Sequence, residues 1–144
     1  TRAMAINKNS KFVAIHDGAR CLITSAQIEE VCSAAYKVGG ATAATQAIDS
    51  IKLTNGKNKL ISNSANRNRV WLAQTPQVFK VETYELALKK AEIEQLEVTD
   101  DNSLVENLGA NIKLVECGRN NIKITTREDI PIALAIIRSR EDKI

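Results

Sequence analysis

Four short polar segments close apolar runs in this chain: His16-Asp17-Gly18-Ala19-Arg20, Gln74-Thr75-Pro76-Gln77, Thr99-Asp100-Asp101 and Asn121-Ile122-Lys123-Ile124-Thr125. Together they offer a carboxylate, a guanidinium, an ammonium and hydroxyls, a set suited to phosphates on a divalent cation. Asp17 could hold Mg²⁺ bridging phosphate oxygens, or could satisfy turn amides. Arg20 could brace a phosphate or its own loop. Lys123 lies between Ile122 and Ile124, so in an extended segment it points opposite to both. An inward Lys there requires an anion; otherwise it is an outward Lys on a sheet edge. Thr75 and Thr99 could hold a phosphate, or serve the turn before Pro76 and a helix cap. His16 reads as a packed strand-end residue. Asp100 and Asp101 read as helix-start residues, not as a second metal site.

The elements that must position these groups alternate between strand and helix. Phe12 to His16 is a short apolar run before a glycine turn, hence a buried strand. Ser25 can cap a helix carrying Ile28, Val31, Cys32 and Ala35 at helical spacing, which Gly39-Gly40 stops. Ala41 to Ile48 is small and β-branched, a second buried strand, and this order implies a right-handed crossover and a parallel pair. Ligands of open α/β sheets bind beyond the carboxyl ends of such strands.

Ile51 to Thr54 alternates, Asn55-Gly56 signals a hairpin, and Lys59-Leu60-Ile61 returns. About residues 50–70 therefore form a projecting arm with little core of its own, which calls for a partner subunit. Val70 to Ala73 is apolar, and Pro76 imposes an extended turn after it. Glu82 to Ile93 is helical, with Tyr84, Leu88 and Ala91 on one face. Asp100 or Asp101 starts a short helix that Gly109 ends. Asn111 to Glu116 alternates as a strand, and Ile122 to Thr125 is extended. Thr126 caps a last helix from Arg127 to about Arg140, with Ile130, Ala133, Leu134 and Ile137 inward.

Length and composition set outer limits. The 144 residues, 44% of them apolar and 26% charged, suit one domain with a real core. A net charge of +3 and 3% aromatics give neither a basic stripe nor a stacking platform, which argues against nucleic acid. No apolar run reaches membrane-spanning length and no signal peptide is evident. Three cysteines without paired spacing suit the reducing cytoplasm.

Taken in order, with Arg67-Asn68-Arg69-Val70-Trp71 between them, the four segments resemble those of 2-C-methyl-D-erythritol 4-phosphate cytidylyltransferases, from Phe12 to about Ile137. HDGAR alone also fits related nucleotidyltransferases, including ribitol 5-phosphate enzymes. The resemblance implies a three-layer α/β/α, Rossmann-like nucleotidyltransferase fold, with a mostly parallel sheet and a projecting hairpin arm. It implies transfer of CMP from CTP to the sugar-alcohol phosphate, with Mg²⁺ on Asp17 and CTP phosphates near Asp17, Gly18 and Ala19. Asp17, Arg20 and Lys123 would be catalytic. Ser50, Arg67, Thr75, Thr99 and Lys123 would bind substrate, with Arg67 acting across a homodimer. Ser50 stands where the family usually has threonine.

Two departures accompany the likeness. Cys21 replaces the proline that usually follows the HDGAR segment. The family's Gly-rich CTP loop, with its Arg and Lys, has no counterpart here, and Thr1 to Ile6 resembles a later helix of the family. The expectation is a single domain spanning residues 1–144, truncated at its amino end and inactive alone. Two alternatives stay open: a ribitol 5-phosphate cytidylyltransferase, or a non-catalytic fragment for dimerisation or sugar-phosphate binding.

Overall fold

Two neighbouring residues of one strand show how the layers are arranged. Val78 packs with Val31 and Ala35 of a helix on one face, while Phe79 packs with Tyr84, Ala87, Leu104 and Val105 of two helices on the other. Period-2 alternation within a strand thus places helices on both sides of one sheet.

The computed structural model describes Asn7 and residues 9–56 and 58–142. The elements are β1 (Phe12–Ile15), α1 (Ser25–Val38), β2 (Gly40–Gln46), β3 (Lys52–Thr54), β4 (Ile61–Ser64), β5 (Trp71–Lys80), α2 (Val81–Glu94), α3 (Asp101–Glu106), β6 (Lys113–Glu116) and α4 (Asp129–Glu141). A short 3₁₀ turn, Arg67–Arg69, leads into β5. The likeness of Thr1 to Ile6 to a family helix falls outside the described residues.

The main sheet has the order β1-β5-β2-β6. β2 and β6 are parallel, and β5 is antiparallel to both β1 and β2. Three of the four strands therefore run one way. The expected parallel pair of β1 and β2 is not formed by direct bonding, because β5 returns from the arm and inserts between them. Strand order is a long-range property that local periodicity does not carry.

β5 also corrects the reading of Pro76 as a turn. The strand runs ten residues straight through it. The ladder slips there instead: Thr42 pairs with Gln77 and Ala44 with Ala73, so Gln74, Thr75 and Pro76 together face Ala43 alone. Proline has no N–H to give a ladder and is accommodated in such a bulge. The Thr75–Pro76 peptide bond is cis.

Three local expectations shift by a few residues. Thr24, not Ser25, caps α1. Its hydroxyl accepts the Gln27 amide at 3.3 Å, and its own amide donates to Gln27 Oε1 at 3.0 Å, a reciprocal capping box. Gly39, at φ +103°, ends α1 in the left-handed region, where a glycine has no Cβ to clash. Before α4, Thr126 is not the cap. The Asp129 carboxylate accepts the Thr125 and Thr126 amides, both at 2.8 Å. Of the α4 residues expected inward only Ala133 is buried, while Ile130, Leu134 and Ile137 are exposed. The stretch from Ile122 to Thr125 forms no strand.

β3 and β4 form a separate two-stranded sheet, joined by residues 55–60 and fully exposed on the arm. The second strand resumes at Ile61, so the return expected from Lys59 begins two residues late.

Candidate functional site

The site is built where β1 ends and the β5 bulge opens. Past Ile15 the β1–β5 ladder stops, and His16-Asp17 leave the sheet beside Thr75. The Asp17 amide donates to the Thr75 hydroxyl at 2.9 Å. The same hydroxyl lies 2.9 Å from His16 Nδ1, and His16 Nε2 lies 3.2 Å from the Arg20 carbonyl. His16 is exposed rather than packed, yet both of its ring nitrogens are engaged. The turn closes on itself through the Arg20 amide, which donates to the Asp17 carbonyl at 3.0 Å.

The loop after β6 reaches the same place. Its Asn121 is fully buried and donates to Gln74 Oε1 at 3.0 Å and to the Thr75 carbonyl at 2.9 Å. Gln74 in turn donates to the Gly118 carbonyl at 3.1 Å. Arg20 Nη1 donates to the Asn121 carbonyl at 2.7 Å, and the Ile124 amide donates to the Ala19 carbonyl at 2.8 Å. These bonds stitch the loop of Asp17 to the loop of Lys123.

The charges then meet. Lys123 Nζ lies 3.1 Å and Arg20 Nε 3.4 Å from the same oxygen, Asp17 Oδ2. Side-chain exposure grades across the trio: 13% for Arg20, 34% for Asp17 and 48% for Lys123. Lys123 is thus half-exposed, not buried inward, and the anion it meets within the chain is Asp17. Arg20 is largely enclosed, which excludes the reading of a solvated surface charge. With 48% of its side chain exposed, Lys123 is free to turn from Asp17 toward an anion, whereas Arg20 is held in place by its bond to the Asn121 carbonyl.

Thr99 is not in contact with the trio. Its hydroxyl lies 3.0 Å from that of Ser103. Asp100 caps α3, accepting the Ser103 amide at 3.0 Å and its hydroxyl at 2.7 Å, as expected of a helix-start residue. Burial alone would raise the Asp100 carboxyl, but hydrogen bonds from Ser103, Gln77 and Asn102 outweigh it and hold the group below the ordinary carboxylate value. Gln77 connects the two regions, donating to Asp100 Oδ2 at 3.0 Å and lying 3.4 Å from the Gln74 carbonyl. The Thr42 hydroxyl donates to that same carbonyl at 3.2 Å and accepts from Asn102 Nδ2 at 3.2 Å. A buried polar chain thus runs under the bulge from Asn121 to Asp100. A cavity of about 490 Å³ opens beside it, lined in part by Thr99, Asp100, Asn102, Arg69 and Trp71.

Asp101, next in line, accepts a hydrogen bond from the Tyr84 hydroxyl. Burial, that bond and the Asp101 charge all push the Tyr84 phenol far above its ordinary value. Both acids are therefore committed within the fold.

Besides Thr99, which bonds only Ser103, two more candidates are not brought into this cluster. Arg67 Nη1 donates at 2.8 Å to the Ile48 carbonyl at the root of its own arm. Ser50 lies exposed in the turn between β2 and β3. Gly18 has open space around the position of a Cβ, so nothing in the fold demands glycine there.

Sequence reasoning assigned no role to Asn121, Gln74, Gln77, Asn102 or Thr42. All five are buried polar residues. The signal available was polarity inside short segments already marked by their neighbours, but burial of an amide is settled only by partners far away in sequence.

The donor set limits what metal could sit here. Among the described residues there is no group of three or more His, Cys, Asp or Glu side chains able to hold a metal ion. A single partly exposed carboxylate fits Mg²⁺, which takes one or two carboxylates and completes its octahedron with water and substrate phosphates.

Against known proteins the chain matches the family model IspD, 2-C-methyl-D-erythritol 4-phosphate cytidylyltransferase, over residues 2–139. Relatives of that name include one from Pelotomaculum thermopropionicum, 36% identical over 98% of this chain and 59% of its own length. Another, from Prochlorococcus marinus, is 43% identical over 92% and 58%. Among solved structures, the 4-diphosphocytidyl-2C-methyl-D-erythritol synthase of Anaerococcus prevotii superposes with a TM-score of 0.85 at 30% identity, covering 93% of this chain and 62% of that one. The Thermus thermophilus cytidylyltransferase gives 0.81 at 29%, covering 95% and 66%. The chain spans about three-fifths of the length of the curated relatives it matches. With a family match that runs over nearly all of its residues, the chain belongs to the 2-C-methyl-D-erythritol 4-phosphate cytidylyltransferases.

Proposed function

We propose that this chain carries the acceptor-side part of an enzyme that transfers CMP from CTP to 2-C-methyl-D-erythritol 4-phosphate, giving 4-diphosphocytidyl-2-C-methyl-D-erythritol and pyrophosphate. The observation that carries the reading is the meeting of Lys123 and Arg20 on Asp17 at the carboxyl end of β1. The acceptor's phosphate oxygen attacks the α-phosphorus of CTP in line, and the bond to the β-phosphate oxygen breaks. A phosphate monoester is already a competent nucleophile, so no general base is needed. The difficulty is repulsion between two polyanions. Catalysis of this kind is positioning and charge compensation.

Lys123, the most exposed of the trio, turns its ammonium from Asp17 to the phosphates as negative charge moves to the leaving group. Arg20 braces the loop through Asn121 and lends its charge from beneath. Asp17 fits the role of holding Mg²⁺, with the Gly18 and Ala19 backbone beside the CTP phosphates. Bound there, the metal supplies neutralisation of triphosphate oxygens and polarisation at phosphorus. The family resemblance assigns Ser50, Thr75 and Thr99 to the acceptor side.

The arm makes the active unit a homodimer. Leu53, Leu60 and Ile61 are exposed on it, and a two-stranded sheet without a core of its own gains stability by packing on a partner. Arg67 then reaches the acceptor phosphate of the partner's site. The three free cysteines suit a cytoplasmic protein. No described helix is long and apolar enough to cross a membrane. CTP and the acceptor are the ligands, with no role for nucleic acid.

Pyrophosphate release, with CTP and either 2-C-methyl-D-erythritol 4-phosphate or ribitol 5-phosphate, tests this reading. The chain alone is expected to be nearly silent. Joined to the family's Gly-rich amino-terminal segment it should turn over the erythritol phosphate in preference. Preference for ribitol phosphate, or silence with both, would remove the assignment.

A further inference from the structure

Two hydrogen bonds of His16 and one between Asp17 and Thr75 together decide where the Thr75 hydroxyl hydrogen sits. The Arg20 carbonyl can only accept, so His16 Nε2, 3.2 Å away, carries the proton. In the neutral imidazole Nδ1 is then an acceptor, and its partner at 2.9 Å is the Thr75 hydroxyl. That hydroxyl has one hydrogen and two lone pairs. The hydrogen is committed to Nδ1, and one lone pair already takes the Asp17 amide at 2.9 Å. What Thr75 has left is a single lone pair, which can accept but not donate. A phosphate oxygen needs a donor.

We propose that His16 is a positioning residue: held as the Nε2–H tautomer by the Arg20 carbonyl, it turns the Thr75 hydroxyl hydrogen away from the ligand, so that Thr75 pins the Asp17 amide instead of binding phosphate. The Asp17 carboxylate is thereby fixed beside Lys123 and Arg20, and anion holding falls to those two cations. The inference rests on the reading of Asp17 and Lys123 as the phosphate-facing pair. It revises the expectation that the Thr75 hydroxyl itself holds substrate phosphate.

His16 is the sole histidine in the chain, so two-bond ¹⁵N–¹H correlation spectra of the imidazole report it without assignment. In mildly alkaline buffer the spectrum should show protonated Nε2 and bare, hydrogen-bonded Nδ1; the opposite tautomer overturns the proposal. Magnesium and inorganic pyrophosphate are then added to the full chain. The Asp17 and Lys123 amides should shift while the Nδ1 resonance stays in place. Movement of Nδ1 to its unbonded position, showing that Thr75 has handed its hydrogen to the anion, also overturns it.

If no amide responds to pyrophosphate, the phosphate site itself fails. The tautomer and the exchange rates of two variants then decide the positioning role. His16→Leu, at an exposed position, should leave the fold intact and speed Asp17 amide exchange about tenfold, the scale of one lost hydrogen bond. His16→Asn puts an amide oxygen near the place of Nδ1 and should restore most of that protection. Equal exchange in the two variants counts against the proposal.

Discussion

Lys123 Nζ and Asp17 Oδ2 lie 3.1 Å apart, although the residues belong to loops at opposite ends of the chain. The pair is half-exposed, so its net contribution to stability is small, about 0–1 kcal/mol. Its geometry matters more than its strength: in the proposed reaction the ammonium is held ready, and an arriving phosphate would compete for it with one carboxylate oxygen.

Lys123→Ala should therefore separate function from fold. In the chain joined to the Gly-rich segment, turnover should fall by roughly a hundredfold to a thousandfold, the usual cost of deleting one charge-stabilising donor. The urea midpoint should hardly move. Pyrophosphate release and a denaturation curve on the same preparation make the comparison, and near-normal turnover would take Lys123 out of the site.

Asn121 should behave in the opposite way. Its side chain is fully buried and donates to both Gln74 and Thr75. Asn121→Ala leaves two buried acceptors dry and should cost about 2–4 kcal/mol. A midpoint within experimental error of wild type would show that the link between the loops is dispensable.

Asp100 makes a prediction about acid. Its folded value lies below the ordinary 3.8, so its hydrogen bonds stabilise the fold fully above that pH. The contribution is lost as the pH falls from 3.8 through the lower folded value. Asp100→Asn should destabilise the protein at neutral pH, and the gap from wild type should close on acidification through that window. A gap that is constant with pH would mean the carboxylate charge contributes nothing.

The arm is tested by mass. Leu60→Asp and Ile61→Asp put charges on residues already exposed in the single chain, so the monomer fold should tolerate both. If the arm packs on a second copy, light scattering should show the dimer weakening in each variant. A wild-type chain that is monomeric at the concentrations of the activity assay would end the proposal that Arg67 acts across subunits.

How much of this was legible in the sequence depended on range. β1, β2, the hairpin and the helices follow from periodicity and from Gly39, Gly56 and Gly109, because these signals act within a few residues. The capping box of Thr24 and Gln27 was equally local and still displaced the expected cap by one residue, since Ser25 competes as a plausible cap. The insertion of β5 between β1 and β2 was not legible, because strand order depends on pairing across the chain. Nor was the exposure of Ile130, Leu134 and Ile137, whose helical spacing matched an inward face. In the site, Asp17, Arg20 and Lys123 stood out by charge at element ends. The His16–Thr75 bond joins residues 59 apart, and tautomers leave no trace in sequence.

The bulge at Gln74–Pro76 divides β5 into two runs that pair with β2 independently, Trp71 to Ala73 on one side and Gln77 to Phe79 on the other. A strand jointed in this way acts as an expansion gap. Residues can be added or removed between its halves without sliding either half along its neighbour, so the floor beneath Asp17 can be reshaped while both stretches of sheet keep their side chains facing the helices they already face.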